Sequence, residues 1–287
     1  MTPGFSSWRR RHFKQISDYR WECKSRDTES LIRQELARNA IAIRLEDATT
    51  GIPEPLYVHH PFEWDDDHHR CLRDFFLTGE VRLPNGRVRV AQNEGAHLAM
   101  LRQLTSGLIY AGDLDNQAYW LSNRRLDELE SVIDSVQGPV LVATFFRAEV
   151  SAMLKRFGRA ARAFVGDTPN SERSKLIEDW NHDRIPILVA APSAMGHGIN
   201  LQLGSSRTVV WYTQTFDWAQ RAQLNARLVR SGQTKTISII SLVADLGIDR
   251  AALTALANKE SGEQAVLAAL DIRHRFQRQP EGTDVAA

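Results

Sequence analysis

Five short, nearly continuous apolar runs, alternating with stretches of helical spacing, constrain this chain more than any other feature. They are PVLVATFF (139–146), ARAFVG (161–166), IPILVAAP (185–192), RTVVWYT (207–213) and TISIISLVA (236–244). None approaches the ~20 residues of a membrane-spanning helix. A strand that is apolar at successive positions is buried on both faces, and strands separated by helices are parallel neighbours covered above and below. The intervening helices are predicted at AEVSAMLKRF (148–157), from Asn170 or Ser171 to Trp180, and at DWAQRAQLNARLVR (217–230), with a closing helix from about 248 to 273. Asn170 or Ser171 can cap the second of these, because a short polar side chain satisfies free N–H groups at a helix start. The expected class is therefore α/β, with a parallel sheet covered by helices on both faces.

Upstream the pattern is mixed α+β. Residues 27–40 have helical spacing, and Pro53 and Pro55 break the chain before LYVHHPF. Asp65, Asp66 and Asp67 precede a helix, HHRCLRDFFL; their charges suit its cap and its dipole. In VRLPNGRVRV (81–90) apolar and polar residues alternate around Asn85-Gly86, a dipeptide that supplies the positive φ angles of a tight hairpin. LRQLTSGLIY (101–110) and residues 124–136 are expected to be helical. The tail from about Gln277 is polar and expected to fray. The two cysteines, Cys23 and Cys71, have no metal-ligand spacing and make no disulfide framework, which points to a reducing cytoplasmic setting. The first residues carry no apolar stretch after their basic cluster, so no secretory signal is expected. A net charge of +1 excludes little, since a basic stripe can hide in a neutral total.

Two stretches carry candidate chemistry. SAMGHGINLQ (193–202) follows a strand; Gly196 and Gly198 allow tight turns and close approach of a ligand at the strand's carboxyl end, where open α/β sheets bind. QLNARLVRSGQ (223–233) places Gln223, Arg227 and Arg230 at helical spacing, expected to share one face. Guanidinium groups fork onto phosphate oxygens. In the hairpin, Arg87 and Arg89 should share a face with Arg82 across from them, a candidate contact for a nucleic-acid backbone.

Taken together these residues resemble the motifs of superfamily-two helicases. Gln223, Arg227 and Arg230, followed by Ser231-Gly232-Gln233, resemble the sixth motif in its Swi/Snf-type form. The loop with Gly196, Gly198, Asn200, Leu201 and Gln202 is similar to that branch's fifth motif, especially in phage-encoded members. PVLVATFFRAEVSAMLKRF resembles the fourth, VGDTPNSERSKLIEDWN (165–181) the segment after it, and Asp217-Trp218 the short motif ahead of the sixth. The match runs in order over most of 138–270, and more weakly through IAIRLEDATTGIPEP (41–55). Alanine stands at 226 where the sixth motif usually has glycine.

The resemblance implies a RecA-like second lobe at 138–275, a first-lobe remnant at 1–50, an interlobe region at 51–137 and a tail at 276–287. It implies an ATP-dependent DNA helicase or translocase, cytoplasmic, in the host cell if phage-encoded. Arg230 would be the arginine finger with Arg227 beside it. Gln223, Gly196 and Gly198 would face the nucleotide; Ser193, Asn200 and Gln202, with Arg82, Arg87 and Arg89, would face DNA. ATP and Mg²⁺ would sit at an interface with a separate lobe carrying Walker motifs, because no G-x-x-x-x-G-K-[ST] occurs in these 287 residues. Two readings stay open: half of a split helicase, or a non-catalytic DNA- or protein-binding module derived from a helicase lobe. HHPFEWDDDHH (59–69) is rich enough in His and Asp to suggest a metal, but one local cluster without distant partners rarely suffices, and no metal site is expected.

Overall fold

A computed structural model describes residues 5–16, 21–25, 27–28, 30–32, 34, 52–112, 117–196 and 198–258. The chain divides into two units, residues 1–50 and 51–287. In the first, a short helix α1 (Phe5–His12) is followed by an antiparallel pair, β1 (Phe13–Gln15) and β2 (Trp21–Cys23). The Arg9 guanidinium lies 4.1 Å from the centre of the Trp21 ring. Within the segment expected to be helical at 27–40, residues 27–28, 30–32 and 34 are helical; the remainder lies outside the described residues, as do 41–50.

The second unit is built on a six-stranded, all-parallel sheet. In chain order its strands are β3 (Leu56–Phe62), β8 (Val140–Ala143), β9 (Ala161–Phe164), β10 (Ile187–Ala190), β11 (Thr208–Trp211) and β12 (Ser238–Ala244). Across the sheet they run β3-β12-β11-β8-β10-β9. Every residue of β8, β10 and β11 is buried, which is why these runs are apolar but for Thr208. Alternate strand residues feed two separate cores. Val140, Val142, Val189, Val210 and Leu242 pack with Leu72, Phe75, Leu101, Leu129 and Met153 on one face. Leu141, Ala143, Leu188, Val209 and Ile239 pack with Trp180, Leu224, Met195 and Leu201 on the other. The α/β class with both faces covered is therefore observed.

Four helices supply the first face: α2 (Asp66–Thr78), α3 (Glu94–Thr105), α4 (Arg124–Ser135) and α5 (Arg147–Phe157). Asp65 caps α2 by accepting from the His68 N–H at 2.9 Å, as its aspartates suggest. Two antiparallel hairpins lie between these helices, β4–β5 (Glu80–Arg82, Val88–Val90) and β6–β7 (Leu108–Tyr110, Ala118–Trp120). The first forms around Asn85-Gly86, with Gly86 at φ 83°. On the second face run α6 (Asn170–Asn181) and α7 (Trp218–Asn225), and α8 (Asp249–Asn258) closes the described chain. Among the described residues no helix is long and apolar enough to cross a membrane.

The structure adds one element and corrects two expectations. LYVHHPF, to which the sequence pattern assigns no element, is strand β3, paired along its length with β12 from Leu56↔Ser238 to Phe62↔Ala244. As an edge strand it is largely exposed. The helix through LRQLTSGLIY stops at Thr105: Gly107 takes φ 81° and Leu108–Tyr110 become β6. Finally, α7 ends at Asn225 rather than 230, and the chain continues in turns closed by Arg227 N–H to Leu224 O and Leu228 N–H to Asn225 O, each 3.0 Å.

One buried ion pair ties the helical layer to the sheet. Arg125 of α4 is 1% exposed and donates to both carboxylate oxygens of Asp249, at 2.8 and 3.1 Å. It also donates to the carbonyls of Thr105, Tyr212 and Leu242. Every guanidinium nitrogen is thereby satisfied, the condition under which a buried charge is tolerated.

Candidate functional site

The glycine loop leaves β10 at its carboxyl end through a 3₁₀ turn, Pro192–Ala194. Met195, Ile199 and Leu201 turn inward and anchor the loop in the second core, while Ser193, Gly198 and Asn200 stay exposed. Gly198 takes φ 85°, a conformation open to glycine, and a Cβ at either Gly196 or Gly198 would meet nothing within 4 Å. The loop backbone therefore borders open space, as approach by a ligand requires. Its far side is clamped from α6: Trp180 Nε1 donates to Leu201 O at 3.0 Å and Asn181 Nδ2 to Asn200 O at 2.9 Å.

The arginine segment is laced to this loop. Arg230 is exposed, and its Nη1 donates to Asn200 Oδ1 at 2.7 Å. Arg227 points the other way. It is 7% exposed and reaches the carbonyls of Met195, Gly196 and Ile199, at 3.2, 2.7 and 3.3 Å. Burial, then the like charge of Arg230, lowers its pKa. The two arginines thus do not share a helical face. The early end of α7 turns the chain between them, so one guanidinium braces the loop and the other stands at its open side. Gln233 extends the lacing, donating to Gln202 O at 3.2 Å. Gln223 sits half-buried on α7.

The hairpin arginines are not brought together in one row. Arg82 pairs with Val88 and Arg89 with Val81, so Arg82 and Arg89 lie on opposite faces. Val81 is buried, and Arg89 on its face donates to Tyr110 O at 2.6 Å, tying one hairpin to the other. The His/Asp-rich segment is dispersed as well: His60 meets Glu128 at 2.9 Å, His68 meets Leu104 O at 2.7 Å, and His69 lies 3.7 Å from Asp245.

Sequence reasoning missed Glu149. It is fully buried beyond the end of β8 and accepts from the hydroxyls of Ser106, Thr144 and Thr213 and from the N–H groups of Phe145 and Phe146. It fixes the loop after β8 against α3 and the segment after β11. A glutamate at the second position of a predicted helix reads as an ordinary helix-start charge, and only the fold shows what converges on it.

Comparison with known proteins agrees with this geometry. Residues 124–232 match the helicase conserved C-terminal domain. The chain is 26% identical over 247 residues to protein p41 of Acyrthosiphon pisum secondary endosymbiont phage 1, covering 82% of this chain and 50% of that protein. It is 26% identical over 138 residues to the ATP-dependent helicase FUN30 of Saccharomyces cerevisiae, covering 45% of this chain and 12% of that protein. The chain thus spans about half of the phage relative and a small part of the yeast one. In fold it is similar to the C-terminal part of the Fun30 ATPase domain, with a TM-score of 0.54 at 15% identity over 78% of this chain and 97% of that structure. By its motifs, its sheet and these relatives, the chain resembles the second RecA-like lobe of Swi/Snf-type superfamily-two helicases, phage-encoded relatives included.

Proposed function

We propose that this chain is the second motor lobe of an ATP-dependent DNA helicase or translocase, completed by a first lobe that carries the Walker motifs. The observation that carries the reading is the contact between Arg230 and Asn200, which holds an exposed guanidinium beside an open glycine loop. Such a guanidinium, with a first lobe closed over it, acts as an arginine finger: it neutralises charge developing on the γ-phosphoryl in a cleft shielded from water. Arg227 serves as its positioning residue, through the loop it braces. Gln223 and the backbone at Gly196 and Gly198 face the nucleotide, with Mg²⁺ held from the first lobe. Ser193, Asn200 and Gln202 contact the DNA backbone, which gives affinity without sequence preference. Arg82 and Arg87 add to that contact from the hairpin, while Arg89 holds the hairpin in place.

The test mixes the chain with a Walker-bearing first lobe from the same genome and measures DNA-stimulated ATP hydrolysis. The mixture is expected to hydrolyse ATP, Arg230→Ala to abolish most of that activity, and Arg230→Lys to restore little of it, since a point charge does not reproduce the planar fork. Equal hydrolysis by the Arg230→Ala mixture overturns the finger assignment. If no first lobe associates with the chain, a non-catalytic binding module becomes the better reading.

A further inference from the structure

The second face of the sheet ends at β3 in a cavity of about 420 Å³ bounded by Tyr57, His59, Trp218, Arg221, Leu253 and Ala257. The register sets Tyr57 and His59 beside Ile239 and Ser241 of β12, and α7 and α8 supply the other walls. Arg221 is the unusual member. It is only 8% exposed, yet all its partners are neutral: Gln214 Oε1 at 2.9 Å, Ser241 Oγ at 2.7 Å, and the Trp211 ring, 4.7 Å away at its centre. Arg125, by contrast, has Asp249, and Arg227, equally buried, is met by three loop carbonyls. Among the described residues no carboxylate pairs with Arg221. A buried cation without a counter-ion is costly, and burial pulls its pKa down to about 10.

Gln214 and Ser241 take two of the five N–H donors a guanidinium presents. Asn225, also buried at the cavity wall, accepts from Trp211 Nε1 at 2.9 Å, so its own amide N–H groups remain as donors. The polar part of the wall is thus rich in donors, and Leu253, Leu256 and Ala257 make the rest apolar.

We propose that this cavity binds a carboxylate carried on a small apolar group, with Arg221 as its counter-ion. One carboxylate neutralises one guanidinium and fits its planar fork. A phosphate dianion would leave a net negative charge against the leucines of α8, which is unfavourable away from water. A peptide C-terminus with an aliphatic side chain and a free aliphatic acid share this chemistry. The site involves neither ATP nor DNA, so its test is independent of the helicase reading.

The experiment is calorimetric titration of the full chain with four probes: N-acetyl-Ala-Leu with a free carboxylate, its C-terminal amide, 4-methylpentanoate and inorganic phosphate. Carboxylate probes are expected to bind and the amide to fail. Arg221→Gln, which keeps an amide able to meet Gln214 and Ser241, should weaken binding about tenfold or more, the scale of a hydrogen bond to a charged group. Ala257→Phe should block the cavity without touching Arg221, and it decides the matter if Arg221→Gln does not fold. Tighter binding of the peptide identifies a chain terminus as the source; tighter binding of 4-methylpentanoate identifies a free acid. The proposal is overturned if the acid and its amide bind alike, if none of the probes binds, or if phosphate binds as tightly as the carboxylates.

Discussion

Arg227 donates to three loop carbonyls from a buried position, whereas Arg230 makes its contact with Asn200 at the surface. The same motif therefore contains one residue whose loss is structural and one whose loss is chemical. Arg227→Ala leaves the carbonyls of Met195, Gly196 and Ile199 without their donor and opens a void beneath the loop. It is expected to lower unfolding stability by about 2–4 kcal/mol, as breaking a buried charged network does. Arg230→Ala removes an exposed side chain and should leave the urea midpoint where it is. Urea denaturation of the two variants checks this directly, and equal destabilisation would refute the division of roles. Sequence spacing could not reveal that division. A three-residue interval places two arginines on one face only while the α-helix continues, and here it stops at Asn225.

At the scale of elements, a signal was readable wherever burial was two-sided. β8 and β10 are apolar at every position, and β11 at all but Thr208, because both of their faces lie in core. β3 escaped because an edge strand needs no such run: His59 and His60 interrupt it and only Phe62 is buried. The β6–β7 pair escaped because its first strand continues the helical spacing of α3, and the break is made by a single glycine, Gly107. The start of α2 was legible down to its cap, and it carries a pH dependence that was not. His68 is buried there, and desolvation lowers its pKa from 6.5, outweighing the Leu104 carbonyl and the nearby aspartates. The unfolded chain then takes up a proton below pH 6.5 that the folded chain does not, so stability falls as pH drops until the folded pKa is reached. For Asp65, burial raises the pKa, but hydrogen bonds from Ser122 and from the His68 N–H bring it below the ordinary carboxylate value of 3.8. Its contribution is present above that value and is lost as pH falls through the lower folded value. Urea midpoints measured across the acid range should fall first through the His68 window, and His68→Gln, which keeps a donor for Leu104, should flatten that first fall. An unchanged slope in the variant would assign the loss to other groups.

For the whole molecule, the motifs that carry the family resemblance begin near residue 138, but the sheet they belong to does not. One edge strand is residues 56–62, and three of the four helices on its first face, α2, α3 and α4, lie upstream of β8. The motif-bearing segment and the folding unit are therefore different lengths of chain. A fragment of residues 138–275 keeps five strands but loses β3, Phe62 and Arg125. Its β12 becomes an open edge, the apolar faces of β8 and β11 toward Leu72, Phe75 and Leu129 lie in water, and Asp249 is left buried without its cation. Breaking such a pair from one side costs about 3–5 kcal/mol. That is a large share of the ~5–15 kcal/mol that holds a domain together, before the lost apolar burial is counted. Residues 138–275 alone are expected to aggregate or to melt without a cooperative transition, whereas residues 52–258 should unfold in one sharp step. Circular dichroism during urea titration of the two fragments distinguishes them. A cooperative transition of the shorter fragment at the midpoint of the longer one would show that the upstream helices decorate the lobe rather than complete it.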